Sequence, residues 1–103
     1  EKVAGRTGVG LSADGQYLYL VTLDGCERAA SPYGGGFYDI AQWLITAGAY
    51  TGLNLDGGGS TAMAGLDSTN SPVLMNVPFG DEVTPGVQRA VGNFFGVVTQ
   101  QLS

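Results

Sequence analysis

The sequence predicts an α+β domain in which a mostly antiparallel or mixed sheet carries one amphipathic helix on a face. Three observations lead there. Strand-type apolar runs are punctuated by Asp-Gly turns at 14–15, 24–25 and 56–57. One segment, Phe37 to about Ala49, places Ile40, Trp43, Leu44 and Ala47 at the spacing of a helical stripe. The connection through that helix is the only one long enough to join a parallel pair of strands.

Taken in order, the start Glu1-Lys2-Val3-Ala4-Gly5 does not read as a signal peptide. Arg6 to Ser12, Ala13-Asp14-Gly15-Gln16 and Tyr17 to Thr22 then read as strand, turn and strand. The second strand is apolar at both phases of its alternation, which predicts a central position with a cover on one side. Cys26 to Gly36 is a loop ending in three glycines. In the helix, Asp39 suits the positive end of the dipole, Gly48 and Gly52 mark the exit, and Trp43 falls on the stripe and is assigned to the core. Leu53 to Leu55 predicts a short buried strand, Gly57 to Gly59 a turn, and Ser60 to Ala64 a further strand or tight return. Asp67 to Pro72 is a polar loop, Val73 to Val77 a short strand ended by Pro78, and Gly80 to Gly86 a turn-rich excursion. Arg89 to Gln100 predicts a last strand with interleaved glycines.

Composition narrows the chemistry. A chain of 103 residues is one domain at most, burying about 65% of its unfolded surface. The formal charge is −5, and Lys2, Arg6, Arg28 and Arg89 are the only cations. That leaves no basic patch and argues against a nucleic-acid partner, so an anionic substrate must rest on local arginines and backbone N–H groups. There is no histidine, which removes Ser-His-Asp and Cys-His catalysis and the commonest zinc ligand. Cys26 is the one cysteine, so no internal disulfide forms. No apolar run reaches the length of a membrane span.

The most informative stretch is Gly52-Leu53-Asn54-Leu55-Asp56-Gly57-Gly58-Gly59-Ser60-Thr61-Ala62-Met63. Ordering three glycines costs more backbone entropy than ordering other residues, so such a run signals positive φ or a close backbone approach, to a ligand or to another strand. It lacks both the phosphate-loop ending and the dinucleotide spacing. A carboxylate at its mouth points instead to chemistry on a sugar, or to a hard cation such as Ca²⁺. Val21-Thr22-Leu23-Asp24-Gly25 resembles the start of this stretch. If the two strands lie side by side, Asp24 and Asp56 meet at one rim as the carboxylate pair of glycoside hydrolysis; the alternative is plain turn-making. Arg6 and Arg89 beside strands suit a phosphate or an ion pair. Asn54, Asn76 and Asn93 lie in apolar strands and must organise a loop or address a ligand. Tyr33 and Tyr38, beside the glycine-rich loop, are aromatic ligand candidates.

Arg6-Thr7-Gly8-Val9-Gly10, Leu23-Asp24-Gly25, the glycine-rich loop and helix, the Leu53 to Met63 stretch, Asn76-Val77-Pro78 and Arg89-Ala90-Val91-Gly92-Asn93 follow one another over nearly the whole chain. In this order and spacing they resemble the phosphodiester glycosidase family. The resemblance implies hydrolysis of a sugar 1-phosphodiester, the reaction by which one member removes α-N-acetylglucosamine from a mannose 6-phosphate diester. It also implies an extracytoplasmic or secreted setting and, from bacterial relatives, a link to exopolysaccharide metabolism. Carried onto this sequence, it implies catalytic carboxylates at Asp56 and Asp24. Substrate contacts are implied at Arg6, Thr7, Asn54, Gly57, Gly58, Gly59, Ser60, Asn76, Arg89 and Asn93, with no metal ligand assigned. The partner it implies is a sugar phosphate or glycan. Residues 1–103 would then be the C-terminal portion of a longer domain, completed by an N-terminal region or another chain. Two other readings use the same residues: a non-catalytic glycan or phosphoglycan binding module, and a structural fragment of a larger assembly.

Overall fold

The computed structural model describes residues 2–92 and 94–99. Its elements are β1 (Arg6–Leu11), β2 (Leu18–Leu23), α1 (Phe37–Ala47), β3 (Thr51–Asn54), β4 (Ala64–Leu66) and β5 (Pro72–Leu74), with a 3₁₀ turn at Gly58–Ser60. The strands form two antiparallel sheets, one in the order β2-β1-β3 and the other the hairpin β4-β5. The fold is α+β, as the residue pattern predicts.

The helix sits on the three-stranded sheet because glycines let it approach. Gly8 and Gly10 of β1 share a face, and β3 places Gly52 opposite Gly10 on that face. A Cβ at Gly8 would lie 2.9 Å from Ile40 and 3.0 Å from Leu44; one at Gly52 would lie 3.1 Å from Leu44. Ile40 and Leu44 are the helix's buried residues, each contributing about 1.5–3 kcal/mol by leaving water. Gly36 opens the helix, its N–H donating to Asp39 Oδ2 at 2.8 Å, and Gly48 closes it at φ 122°.

Several expectations change. β1, not β2, is central, because the chain leaving α1 returns against the free side of β1 and leaves β2 at an edge. β3 is the opposite edge and all four of its residues are exposed, where a buried strand was expected. Trp43 is 56% exposed: Ile40 and Leu44 meet the sheet and Trp43 lies on the flank. Ser60 to Ala64 makes a tight return that becomes β4 only at its end. The last expected strand is irregular over its described residues, with Phe94 90% and Val98 97% exposed; Gln100 lies outside the described residues.

The sheet face away from α1 carries Val9, Leu11, Leu18, Leu20 and Leu53 by register, and the four leucines are exposed. Both faces of the sheet are therefore apolar, and among the described residues the helix covers only one.

Candidate active site

β2 and β3 both run antiparallel to β1, so both deliver their C-terminal ends to the rim where β1 begins. Asp24 leaves one side of that rim and Asp56 the other. With β1 between them, their backbones stand about two strand spacings, roughly 10 Å, apart. The strands are thus not neighbours, and the two Asp-Gly ends do not form the adjacent pair that side-by-side strands would give. The β1–β3 ladder runs on past β3, with Leu55 N–H donating to the Thr7 carbonyl at 2.8 Å and Gly58 N–H to the Gly5 carbonyl at 2.8 Å.

Each glycine of the triplet has its own cause. A Cβ on Gly57 would lie 2.6 Å from the Gly5 carbonyl oxygen, so this residue passes hard against the start of β1. Gly58 stands at φ 59°, in the left-handed region. A Cβ on Gly59 would lie 2.6 Å from Arg89 Cζ and 2.9 Å from the Phe79 carbonyl, so Gly59 makes room for the guanidinium. The triplet thus binds backbone on one side and seats an arginine on the other. Asp56, at its mouth, is exposed and accepts the Gly57 N–H at 3.0 Å.

The remaining carboxylate and asparagine build a clamp. Asn76 Nδ2 donates to Asp24 Oδ1 at 2.9 Å and to the Thr61 carbonyl at 3.0 Å, while its Oδ1 accepts the Met63 N–H at 2.7 Å. Asp24 Oδ2 accepts the Val77 N–H at 3.1 Å. Asn76 uses all of its amide hydrogens, and Asp24 engages both oxygens, in tying the chain after the triglycine to the chain before Pro78. Arg6 is also engaged: Nε donates to the Gly35 carbonyl and Nη2 to the Lys2 carbonyl, both at 2.8 Å, with Cζ 4.4 Å from the centre of the Phe37 ring. Asn54 is exposed and donates to the Leu55 carbonyl at 3.0 Å. Thr7 and Ser60 are half-buried on the rim. Tyr33 packs edge-on against Phe79, its ring 5.9 Å away, while Tyr38 is exposed. Asn93 lies outside the described residues.

A model of the family described as phosphodiester glycosidase matches residues 1–98. The chain belongs to the phosphodiester glycosidase family. No curated protein and no solved structure matches it. The family is one of glycoside-cleaving hydrolases, and a phosphosugar or glycan substrate is consistent with it.

Within this phosphodiester glycosidase family domain, residue reading alone missed Glu82, Arg28 and Thr61. Glu82 Oε2 lies 2.7 Å from Arg28 Nε, and its Oε1 lies 3.3 Å from Arg89 Nη2. Arg89 Nε also donates to the Gly80 carbonyl at 3.0 Å. The turn-rich composition of 80–86 gave no sign that a carboxylate there would reach the triglycine. Thr61 is 2% exposed, and its hydroxyl finds no hydrogen-bond partner among the described residues. Among those residues no three His, Cys, Asp or Glu side chains gather closely enough to hold a metal ion, and no helix is long and apolar enough to cross a membrane.

Proposed function

We propose that this domain hydrolyses the glycosidic bond of a sugar 1-phosphodiester at the rim where β1 begins, the sugar being of the N-acetylhexosamine type. One observation carries the reading: Asp56 stands exposed at the mouth of the turn against which the Arg89 guanidinium is seated. Asp56 activates water, which attacks the anomeric carbon. The carboxylate takes the water's proton, the carbon–oxygen bond breaks, and the electron pair leaves with the phosphate. A phosphate is a stable anion, so its departure depends less on a proton donor than on a fixed cation, which Arg89 supplies. One free carboxylate with one arginine therefore suits this leaving group better than it would suit an ordinary sugar alcohol. Asn54, Thr7, Ser60 and the backbone of Gly57 to Gly59 stand where they can orient the sugar. Asp24, Asn76 and Arg6 act by holding the loops that form the rim.

Labelled water tests the reaction class. Turnover of an N-acetylglucosamine 1-phosphodiester should place the heavy oxygen on the sugar; label on the phosphate would mean phosphoryl chemistry and would remove this assignment.

A binding module is the second reading, favoured by the engagement of both Asp24 oxygens, which leaves the rim one carboxylate short of the usual glycosidase pair. Calorimetry showing tight binding of the diester with no product released would select it. We also propose that further polypeptide, an N-terminal region or another chain, completes the domain; the uncovered leucine face of the sheet supports this.

A further inference from the structure

Glu82 is one of two residues other than glycine with positive φ among those described, at φ 62°. Such a conformation is held only where surrounding contacts fix it, and it concentrates at functional sites. Here the contacts are the Cys26 thiol, which donates to the Glu82 carbonyl at 3.1 Å, and the Glu82 N–H, which donates to the Phe79 carbonyl at 2.7 Å. They place a side chain only 18% exposed between two guanidiniums, Arg28 at 2.7 Å and Arg89 at 3.3 Å. Glu82 Oε1 lies 3.9 Å from the position a Cβ would take on Gly58, two residues beyond Asp56.

We propose that Arg28 and Arg89 are the two arms of a phosphate-binding site, and that the Glu82 carboxylate holds the phosphate's place in the unliganded protein. A carboxylate and a phosphate present the same kind of paired oxygen acceptors to a guanidinium, and two guanidiniums match the charge of a phosphate. Arg6, the other arginine of the rim, already donates to two carbonyls. In a chain of net charge −5, two unshielded arginines would collect any anion; an internal carboxylate sets a threshold that only a well-placed phosphate overcomes. The site rests on the proposed function for the identity of its ligand, but its occupancy is measured without turnover.

The probe is inorganic phosphate, titrated calorimetrically into the 103-residue chain. Glu82→Gln removes the competing charge, and phosphate should bind at least tenfold more tightly than to the parent protein. Adding Arg28→Gln or Arg89→Gln to that variant should each reverse the gain. Affinity unchanged or weaker in a Glu82→Gln protein with native near-UV circular dichroism would overturn the proposal, because the ion network would then be a structural latch alone. Should Glu82→Gln not fold, the single Arg28→Gln variant decides. Arg28 is 71% exposed, so its loss leaves the fold intact, and phosphate affinity should fall about tenfold; no change would equally overturn the site. A loss of turnover in Asp56→Asn with phosphate binding retained separates the two claims.

Discussion

At the scale of the residue, Asn76 shows how a side chain that reads as a ligand contact can instead be a joint. Its amide meets Asp24, Thr61 and Met63, so Asn76→Asp sets two carboxylates facing each other and removes both donors. That change should cost at least ~2 kcal/mol, a fall in Tm of roughly 8 °C or more, in a thermal melt at neutral pH. Gly57→Ala tests the first glycine in the same way: with the Gly5 carbonyl 2.6 Å from the new methyl, overpacking should cost about 1–3 kcal/mol by denaturant unfolding. A tolerated alanine would mean that the turn needs no close backbone approach there. That Gly57, Gly58 and Gly59 mark special backbone is legible in the sequence, since glycine triplets have few other uses. Which partner each one faces is not, because Gly5, Glu82 and Arg89 come from distant parts of the chain. Glu82 stayed hidden for the same reason: nothing in Asp81-Glu82-Val83 signals a left-handed backbone or two arginines.

Among the elements, α1 and β1 were readable because their signals are local: Ile40 and Leu44 four apart on a helical stripe, and the Asp14-Gly15 turn that joins β1 to β2. Strand order was not, since Leu18 to Leu23 carries more apolar side chains than Arg6 to Leu11 yet lies at the edge, and only the return of β3 makes β1 central. The β4–β5 hairpin offers a test of local electrostatics. Asp67 Oδ1 accepts the Thr69 hydroxyl at 2.6 Å, the Ser71 N–H at 3.0 Å and the Thr69 N–H at 2.8 Å. These bonds, the Thr69 hydroxyl foremost, hold its carboxyl below the ordinary value of 3.8. A folded pKa below the unfolded one contributes stability that is complete above the ordinary value and is lost as pH falls through the depressed one. The Thr69 and Ser71 amide shifts should therefore titrate with a midpoint below 3.8 by nuclear magnetic resonance; a midpoint at or above it would deny the turn this role.

For the molecule as a whole, the radius of gyration of 14.5 Å exceeds the roughly 13 Å of a compact domain of this length, and the principal extents are 50 × 32 × 23 Å. Among the described residues the sheet has two open edges, and the face away from α1 shows Leu11, Leu18, Leu20 and Leu53. Beside β3 lies an apolar groove lined by Phe37, Leu44, Tyr50 and Leu53 that ends at Asn54, next to the rim. The Asp56 turn and Arg89 meet at one end of the sheet, brought there by segments more than thirty residues apart in sequence. We propose that Asp56 acts on the sugar while Arg89 receives the phosphate. The most direct test is the turnover of an N-acetylglucosamine 1-phosphodiester by Asp56→Asn, in protein whose circular dichroism and melting match the parent. In that variant kcat should fall by about 10²–10⁴. Turnover at the parent rate in that folded variant would contradict the proposal.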